Sequence, residues 1–379
     1  MTSLADFART KLAELEAQAL LRRLATYSRS EGLWLKREGR TLLSFSCNDY
    51  LNLSQHPRVK AAAIAAIETH GAGAGASRLV TGNHPELAQL ELKLARFKHA
   101  EAACVFASGY AANSGTIPCL VKAGDLILID ELAHACLWAG ARLSGARTRA
   151  FKHNDVEDAR QILEAERAAH AHALILTDGV FSMDGDVAPI EALGELRRTH
   201  DAWLFVDDAH ALGVLNQGRG SARPDLIDVQ MGTLSKAAGS LGGYICAEAP
   251  VIDLLKTRAR TLVYSTGLPP ASCAAASAAL DIIESEPALT QLPLARAQQF
   301  TRLLGLPLAQ SAVAPVIFGD ARRALAASEA LAEAGFLVTA IRPPTVAMGT
   351  ARLRFAFSAG HSQQQVADVA AALSKLMQQ

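Results

Sequence analysis

Between about residues 100 and 250, short apolar runs recur between segments of helical spacing. This alternation constrains the fold more than any other feature. The runs AACVF, DLILID, TRAF, ALILTD, AWLFVDD, IDVQMG and GGYICAE each read as a strand. They are nearly continuous in apolar residues rather than alternating, as expected of strands covered on both faces. Segments 155–168 and 189–199 read as helices between them. Strand–helix alternation of this kind implies a mostly parallel sheet joined by right-handed crossovers.

The flanks have a different texture. Leu4, Phe7, Leu12 and Leu15 recur at helical spacing, which predicts an amphipathic helix over residues 4–25. From about residue 270, PPASCAAASAALDIIES reads as a long helix with Pro269 and Pro270 at its start. Beyond it, APVIFG and RLRFAF read as strands accompanied by helices at 322–334 and 362–377. At 379 residues the chain is long for one average domain. The expected division is an N-terminal helical segment (1–45), a large α/β domain (46–270) and a smaller α+β domain (271–379).

Lys+Arg and Asp+Glu are equal at 37 each, which argues against nucleic acid or another polyanion as partner. No apolar run reaches membrane-spanning length, and the charged start is unlike a signal peptide. The six cysteines show no CxxC or zinc spacing and mostly lie in apolar runs. They read as buried free thiols, which fits a reducing, cytoplasmic setting without a metal.

Four motifs follow predicted strands. After LFV come Asp207, Asp208 and His210; after ALILT come Asp178, Ser182 and Asp184. Functional groups of open α/β sheets gather at the carboxyl ends of strands. A helix-capping Asp with a structural His, and a tight DG turn, explain the two motifs equally well. Ser108 and Gly109 follow AACVF at the start of a helix, where free backbone N–H groups favour a phosphate or simply form an ordinary cap. His134 follows DLILID, as a ring-stacking or a structural histidine. Gly71, Gly73 and Ala76 fit G-x-G-x-x-A, but the segment before them reads as a helix, whereas a dinucleotide fingerprint needs a strand. A nicotinamide-dependent oxidoreductase is therefore the disfavoured rival.

A lysine, Lys236, lies in GTLSKAAGSLGG among small residues and hydroxyls. Together these parts can hold pyridoxal phosphate: an amine for its aldehyde, an acid for its ring nitrogen, a flat ring to stack on it and a helix start for its phosphate. Small neighbours of Lys236 leave room for the cofactor, and Thr233 and Ser235 place hydroxyls beside it.

The segments SCNDYLNLS, SRLVTGNHPELAQLE, SGYAAN, DELAHAC, DGVFSMDGD, VDDAHALG, GTLSKAAGSLGG, YSTGLPP and ARLRFAFSAGHS occur in this order. Over nearly the whole chain they resemble the α-oxoamine synthases, pyridoxal-phosphate enzymes of the aspartate-aminotransferase fold (fold type I). TAIRPPTV and FKHNDVEDA look most like the member that joins L-alanine to a pimeloyl thioester in biotin biosynthesis. Other members, which use glycine or serine with other acyl groups, are the nearest alternatives. The resemblance implies that Lys236 is the cofactor-bound lysine and that Asp207 pairs with the pyridinium nitrogen. It implies that His210 reaches the phenolic oxygen and His134 stacks on the ring. Ser108, Gly109, Tyr110 and Thr233 then surround the phosphate, with Ser182 close by. Asn48 and Arg354 hold the amino acid's carboxylate, and Arg22 and Arg342 are candidates for the acyl chain's distal carboxylate. The family is homodimeric with shared sites, so Ser265 and Thr266 are expected to reach the partner's phosphate. Asp178, where Glu is common, and Asn52, where Gly is common, depart from the pattern without removing a catalytic group.

Overall fold

All seven apolar runs form strands of one sheet. The structure, a computed structural model, describes residues 2–221 and 223–377. In chain order the strands are β1 (Ser28–Glu31), β2 (Trp34–Arg37), β3 (Arg40–Ser44), β4 (Ala102–Phe106), β5 (Leu126–Asp130), β6 (Arg147–Phe151) and β7 (Ala173–Asp178). They continue with β8 (Trp203–Asp207), β9 (Val229–Thr233), β10 (Gly243–Ala247), β11 (Val313–Gly319), β12 (Phe336–Leu337), β13 (Thr339–Ile341) and β14 (Ala351–Ala356). The large sheet has the order β4-β10-β9-β8-β7-β5-β6. Neighbours from β9 to β6 pair in parallel, while β10 runs antiparallel to both β9 and β4. β5, β7, β9 and β10 are buried along their whole length, which is why their sequences do not alternate.

Helices cover both faces. Leu163, Leu193 and Leu196 of Val156–Glu166 and Ile190–Thr199 share one core with Leu128, Ile175 and Leu204 of the sheet. Ala112 and Ile117 of Gly109–Leu120 and Ile252 and Leu255 of Ala249–Arg258 pack with Ile129, Leu176 and Phe205. The segment before Gly71 is the helix Pro57–His70, so G-x-G-x-x-A lacks its strand and the dinucleotide reading falls.

The ends of the chain depart from expectation. The first helix covers only Leu4–Ala17, and the chain turns at Ala19 with a φ of 55°. Residues 28–44, expected within a helical segment, form β1–β3 instead. Gly32 and Gly39 sit in the two turns with φ of 50° and 79°, the left-handed region that glycine enters without steric cost. β3 then pairs in parallel with β12, about 290 residues later, so both ends of the chain share a sheet. Pro270–Ser285, expected to open the smaller domain, buries Cys273, Ala276, Leu280 and Ile283 with Leu87, Leu90 and Leu94 of Pro85–Phe97. It therefore packs with the large sheet's helical layer.

The remaining C-terminal elements pack beside the large sheet. β11, β14 and β13 form an antiparallel sheet, and Phe45, Phe300, Phe355 and Phe357 gather in its core with Val366 and Val369 of Gln363–Met377. β14 is buried throughout and nonetheless carries Arg352 and Arg354 toward the large sheet. Among the described residues no helix is long and apolar enough to cross a membrane. All six cysteines are free thiols.

Candidate active site

Six parallel strands, β4–β9, end on one edge of the large sheet, and the chemistry-bearing residues follow five of those ends. Ser108 comes two residues after β4, His134 four after β5, Asp178 and Asp207 are the last residues of β7 and β8, and Lys236 comes three after β9. Main-chain register sets Asp178 opposite Asp207 on neighbouring strands. A cavity of about 190 Å³ lies between these ends, lined by Ser108, Gly109, Tyr110, His134, Asp178, Asp207, His210, Thr233 and Lys236, with Cys136, Ala209, Met231 and Ser235.

The helix Gly109–Leu120 starts at this cavity, and Ser108 caps it by accepting the amide of Ala111 at 3.1 Å. A Cβ on Gly109 would lie 2.8 Å from Met231 Cε, and one on Gly243 would lie 2.5 Å from the Ser108 carbonyl oxygen. Only glycines let this helix start sit against β9 and β10, beside Thr233. Thr233 Oγ1 donates to the Gly242 carbonyl at 2.8 Å and lies 2.8 Å from Ser235 Oγ. Backbone N–H groups of a helix start flanked by hydroxyls form a phosphate-binding arrangement.

Asp207 is buried but well supplied with donors. Its Oδ2 accepts Asn113 Nδ2 at 2.7 Å, and its Oδ1 accepts the amide of Ala209 at 2.9 Å. Among the described residues Lys236 Nζ has no hydrogen-bond or ion-pair partner. Burial pushes its amine below the ordinary lysine range, against the pull of Asp207. Burial, then the charge of Asp207, raises Asp178 well above the usual carboxylate range. Asp178 Oδ2 accepts the amide of His134 at 2.7 Å and so fixes the turn that presents the ring.

His134 caps Ala135–Ser144, and its Nδ1 lies 2.7 Å from Cys136 Sγ. Burial lowers the His134 ring's affinity for a proton, opposed by Asp207. His210 Nδ1 lies 2.6 Å from Tyr50 Oη. Burial, then the charge of Lys236, holds His210 well below the usual histidine range, and burial raises the Tyr50 phenol. A neutral ring accepting the phenol's proton at Nδ1 keeps its own proton on Nε2.

Arg354 and Asn48 meet as expected: Arg354 Nη1 donates to Asn48 Oδ1 at 3.0 Å and Nη2 to Tyr50 Oη at 3.4 Å. Arg354 Nε donates to the Ser182 carbonyl. Ser182, expected near the phosphate, does not line the cavity; its main chain holds Arg354 instead. Ser265 and Thr266 also lie outside the cavity of their own chain, where Thr266 forms an isolated bridge with Ser77. Arg22 and Arg342 come together away from the cavity: Arg22 Nη2 donates to Thr345 Oγ1 at 2.7 Å, and Arg342 Nη1 to the Ala19 carbonyl. Asn113, Tyr50 and Cys136 escaped sequence reasoning. A single amide in the apolar stretch AANSG was the one available signal for Asn113.

Residues 40–373 match the family described as aminotransferase class I and II. The chain belongs to this family. As a member of aminotransferase class I and II, it has closely similar curated relatives. It is 59% identical to the 8-amino-7-oxononanoate synthase of Beijerinckia indica, covering 100% of this chain and 99% of that one. It is 64% identical to the 8-amino-7-oxononanoate synthase of Methylocella silvestris, over 90% and 98% of the two chains. Among solved structures, a serine palmitoyltransferase from S. paucimobilis with a bound PLP–myriocin aldimine superposes with a TM-score of 0.92. The identity there is 26%, over 98% of this chain and 97% of that one. These likenesses bear out the α-oxoamine synthase resemblance and the fold type I architecture. This aminotransferase-family chain is a pyridoxal-phosphate-dependent acyltransferase. Its cavity fits the cofactor on physical grounds: a free buried amine, a buried carboxylate with spare acceptor capacity, and a glycine-lined helix start.

Proposed function

We propose that the chain condenses L-alanine with a pimeloyl thioester to give 8-amino-7-oxononanoate, carbon dioxide and free thiol, a step of biotin biosynthesis. The new carbon–carbon bond joins alanine's α-carbon to the acyl carbon; the C–S bond and the bond to alanine's carboxyl carbon break. The names of the relatives at 59% and 64% identity support this reading.

The observation that carries the substrate assignment is the pair Arg22 and Arg342. Neither has a carboxylate partner among the described residues, although they lie 320 positions apart and share one corner of the surface. Burial, then the nearby Arg22, lowers Arg342 from the ordinary arginine range, as expected of two cations lacking an anion. A dicarboxylic acyl chain supplies that anion at its far end, and guanidinium forks suit it. A palmitoyl chain has no charge there to offer.

The residues around the cavity divide the work. Lys236 holds the aldehyde carbon of the cofactor, Asp207 its ring nitrogen, and Ser108, Gly109, Tyr110 and Thr233 its phosphate. Bound there, the cofactor supplies a sink for the electron pair left at alanine's α-carbon. Asp207 keeps a proton on the ring nitrogen, and Asn113 and the Ala209 amide keep Asp207 aimed. His210 offers its Nε2 proton to the phenolic oxygen. Arg354, braced by Asn48 and the Ser182 carbonyl, holds alanine's carboxylate. Lys236 Nζ, which burial lowers from the ordinary lysine range, would take the α-proton once alanine's amine has displaced it from the cofactor. Leu79, Val80, Tyr110 and Tyr264 are exposed; in a homodimer they are covered, with Ser265 and Thr266 reaching the partner's phosphate.

The test offers alanine, glycine and serine, each with pimeloyl, acetyl, succinyl and palmitoyl thioesters, and follows thiol release. Alanine with the pimeloyl thioester is expected to give the highest kcat/KM. A preference for serine with palmitoyl, or glycine with acetyl or succinyl, overturns the assignment.

A further inference from the structure

His153 lies two residues beyond β6, on the same edge of the sheet as the cavity but outside it. Both of its ring nitrogens face acids. Nδ1 is 3.0 and 3.2 Å from the two oxygens of Asp130, and Nε2 is 2.6 Å from Asp186 Oδ2. A neutral imidazole has one N–H to donate, so a ring bonded to a carboxylate at each nitrogen carries both protons. Burial alone would lower its pKa; the hydrogen bonds to Asp130 and then Asp186 overcome this and raise it to about 10. The edge of Phe181 stands against the ring, with centroids 4.3 Å apart at 90°.

Each acid belongs to a different loop that leads from a strand end beside the cavity. Asp130 is fully buried at the end of β5, and it folds the next turn by accepting the amide of Leu132 at 2.8 Å. That turn ends at His134. Asp186 closes the loop after β7, where the Phe181 amide donates to the Asp186 carbonyl at 3.0 Å. That loop carries the Ser182 carbonyl that aims Arg354, and Asp184, which pairs with Arg352 at 2.5 Å. The ring therefore joins the two loops, beside Asn154, whose amide donates to Asp130 Oδ2 at 2.8 Å and whose Nδ2 donates to Asp186 Oδ2 at 3.1 Å, and beside the contact of Asp178 with the His134 amide.

We propose that His153 is a positioning residue, a doubly protonated clamp between Asp130 and Asp186 that holds the His134 turn and the Ser182 loop in register, and so sets the stacking ring and Arg354 together. The roles of His134 and Arg354 rest on the function proposed above; the clamp itself does not. It works through geometry: charge-assisted hydrogen bonds at both ring nitrogens fix the distance between the two loops.

The test compares the full-length protein with His153→Gln and Asp186→Asn by amide hydrogen exchange and steady-state kinetics. Asp186 is partly exposed, so its variant is expected to fold even if His153→Gln does not. Asp186→Asn should speed exchange over residues 180–187 by about tenfold while residues 131–134 stay as in the parent. His153→Gln should speed exchange in both segments, because it takes the charged ring from both arms and leaves only Asn154 between them. In both variants the KM for alanine should rise by about tenfold while the KM for the thioester stays constant, a split that a general loss of stability would not give. Unchanged exchange over 180–187 in Asp186→Asn overturns the clamp, as does loosening of both segments alike in that variant or an unchanged alanine KM. Exchange that follows the predicted pattern in a protein that does not turn over alanine supports the clamp and removes only the substrate assignment.

Discussion

Asn113 reaches Asp207 across 2.7 Å, from a helix that caps the cavity to the strand end that floors it. The two residues are 94 positions apart, and both are fully buried or nearly so. A buried carboxylate needs donors to stay satisfied and aimed, and among the described residues the amide shares this task with the Ala209 amide and the Cys136 thiol. Asn113→Ala removes a hydrogen bond to a charged group, worth about 1.5–3 kcal/mol. The expected result is a fall in kcat/KM for alanine of about tenfold or more, with the bound cofactor's ring nitrogen titrating at lower pH in its absorption spectrum. An unchanged spectrum and rate would show that the Ala209 amide suffices.

Arg342→Ala tests the acyl-chain site. The KM for the pimeloyl thioester should rise by about tenfold to a hundredfold, since the bidentate partner of a carboxylate is lost. A thioester of similar length without the distal carboxylate should respond little. Equal losses with both donors would assign Arg342 to the support of residues 19–22 through the Ala19 carbonyl.

The α/β layout was legible because β4, β5 and β7–β10 are largely buried runs whose apolar residues do not alternate, while the edge strand β6 is mostly exposed or half-buried. The reversed direction of β10 was not legible, since a buried strand reads the same in either orientation. β1–β3 escaped because β2 alternates only between exposed and half-buried residues, and β3 finds its partner β12 at the other end of the chain. Arg354 and Asn48 came from the resemblance, and no local pattern foretells a contact across 306 positions. In sequence the Asp178 motif fits a functional strand end and a tight turn equally well; the register opposite Asp207 brings it to the cavity. Ser182 was identified by its side chain, whereas its carbonyl makes the contact.

Acid should weaken the C-terminal part of the fold through His361. Its ring stacks on Phe45 at 4.1 Å, accepts the Ser358 amide at Nδ1 and bonds the Ser44 carbonyl through Nε2. Burial lowers its pKa from 6.5 to about 4. The unfolded chain therefore binds the extra proton first as pH falls. The stability this neutral ring contributes is complete above pH 6.5 and is lost between there and about 4. The loss amounts to about 3 kcal/mol. Urea melts at several pH values should show it, and His361→Asn, though less stable near neutrality, should have a flatter profile over the same window.

Lys98 pairs with Asp208 at 3.0 Å, with side chains 1% and 0% exposed, directly behind the Asp207 strand end. Lys98→Met removes one buried charged donor from Asp208, which keeps others such as Ser221, and should cost about 1.5–3 kcal/mol of stability. Denaturant midpoints measure this. A loss under about 1 kcal/mol would place the pair among the weakly contributing ones.

The most direct measurement is of Lys236 itself. The protein is reduced with borohydride in the presence of pyridoxal phosphate, digested and mapped by mass spectrometry, in parallel with Lys236→Ala. The account predicts a cofactor-modified lysine in the peptide containing GTLSK, no modified peptide from Lys236→Ala, and turnover in that variant lowered by at least about a thousandfold. Stable modification of a different lysine in the parent, with Lys236→Ala still turning over, would contradict it.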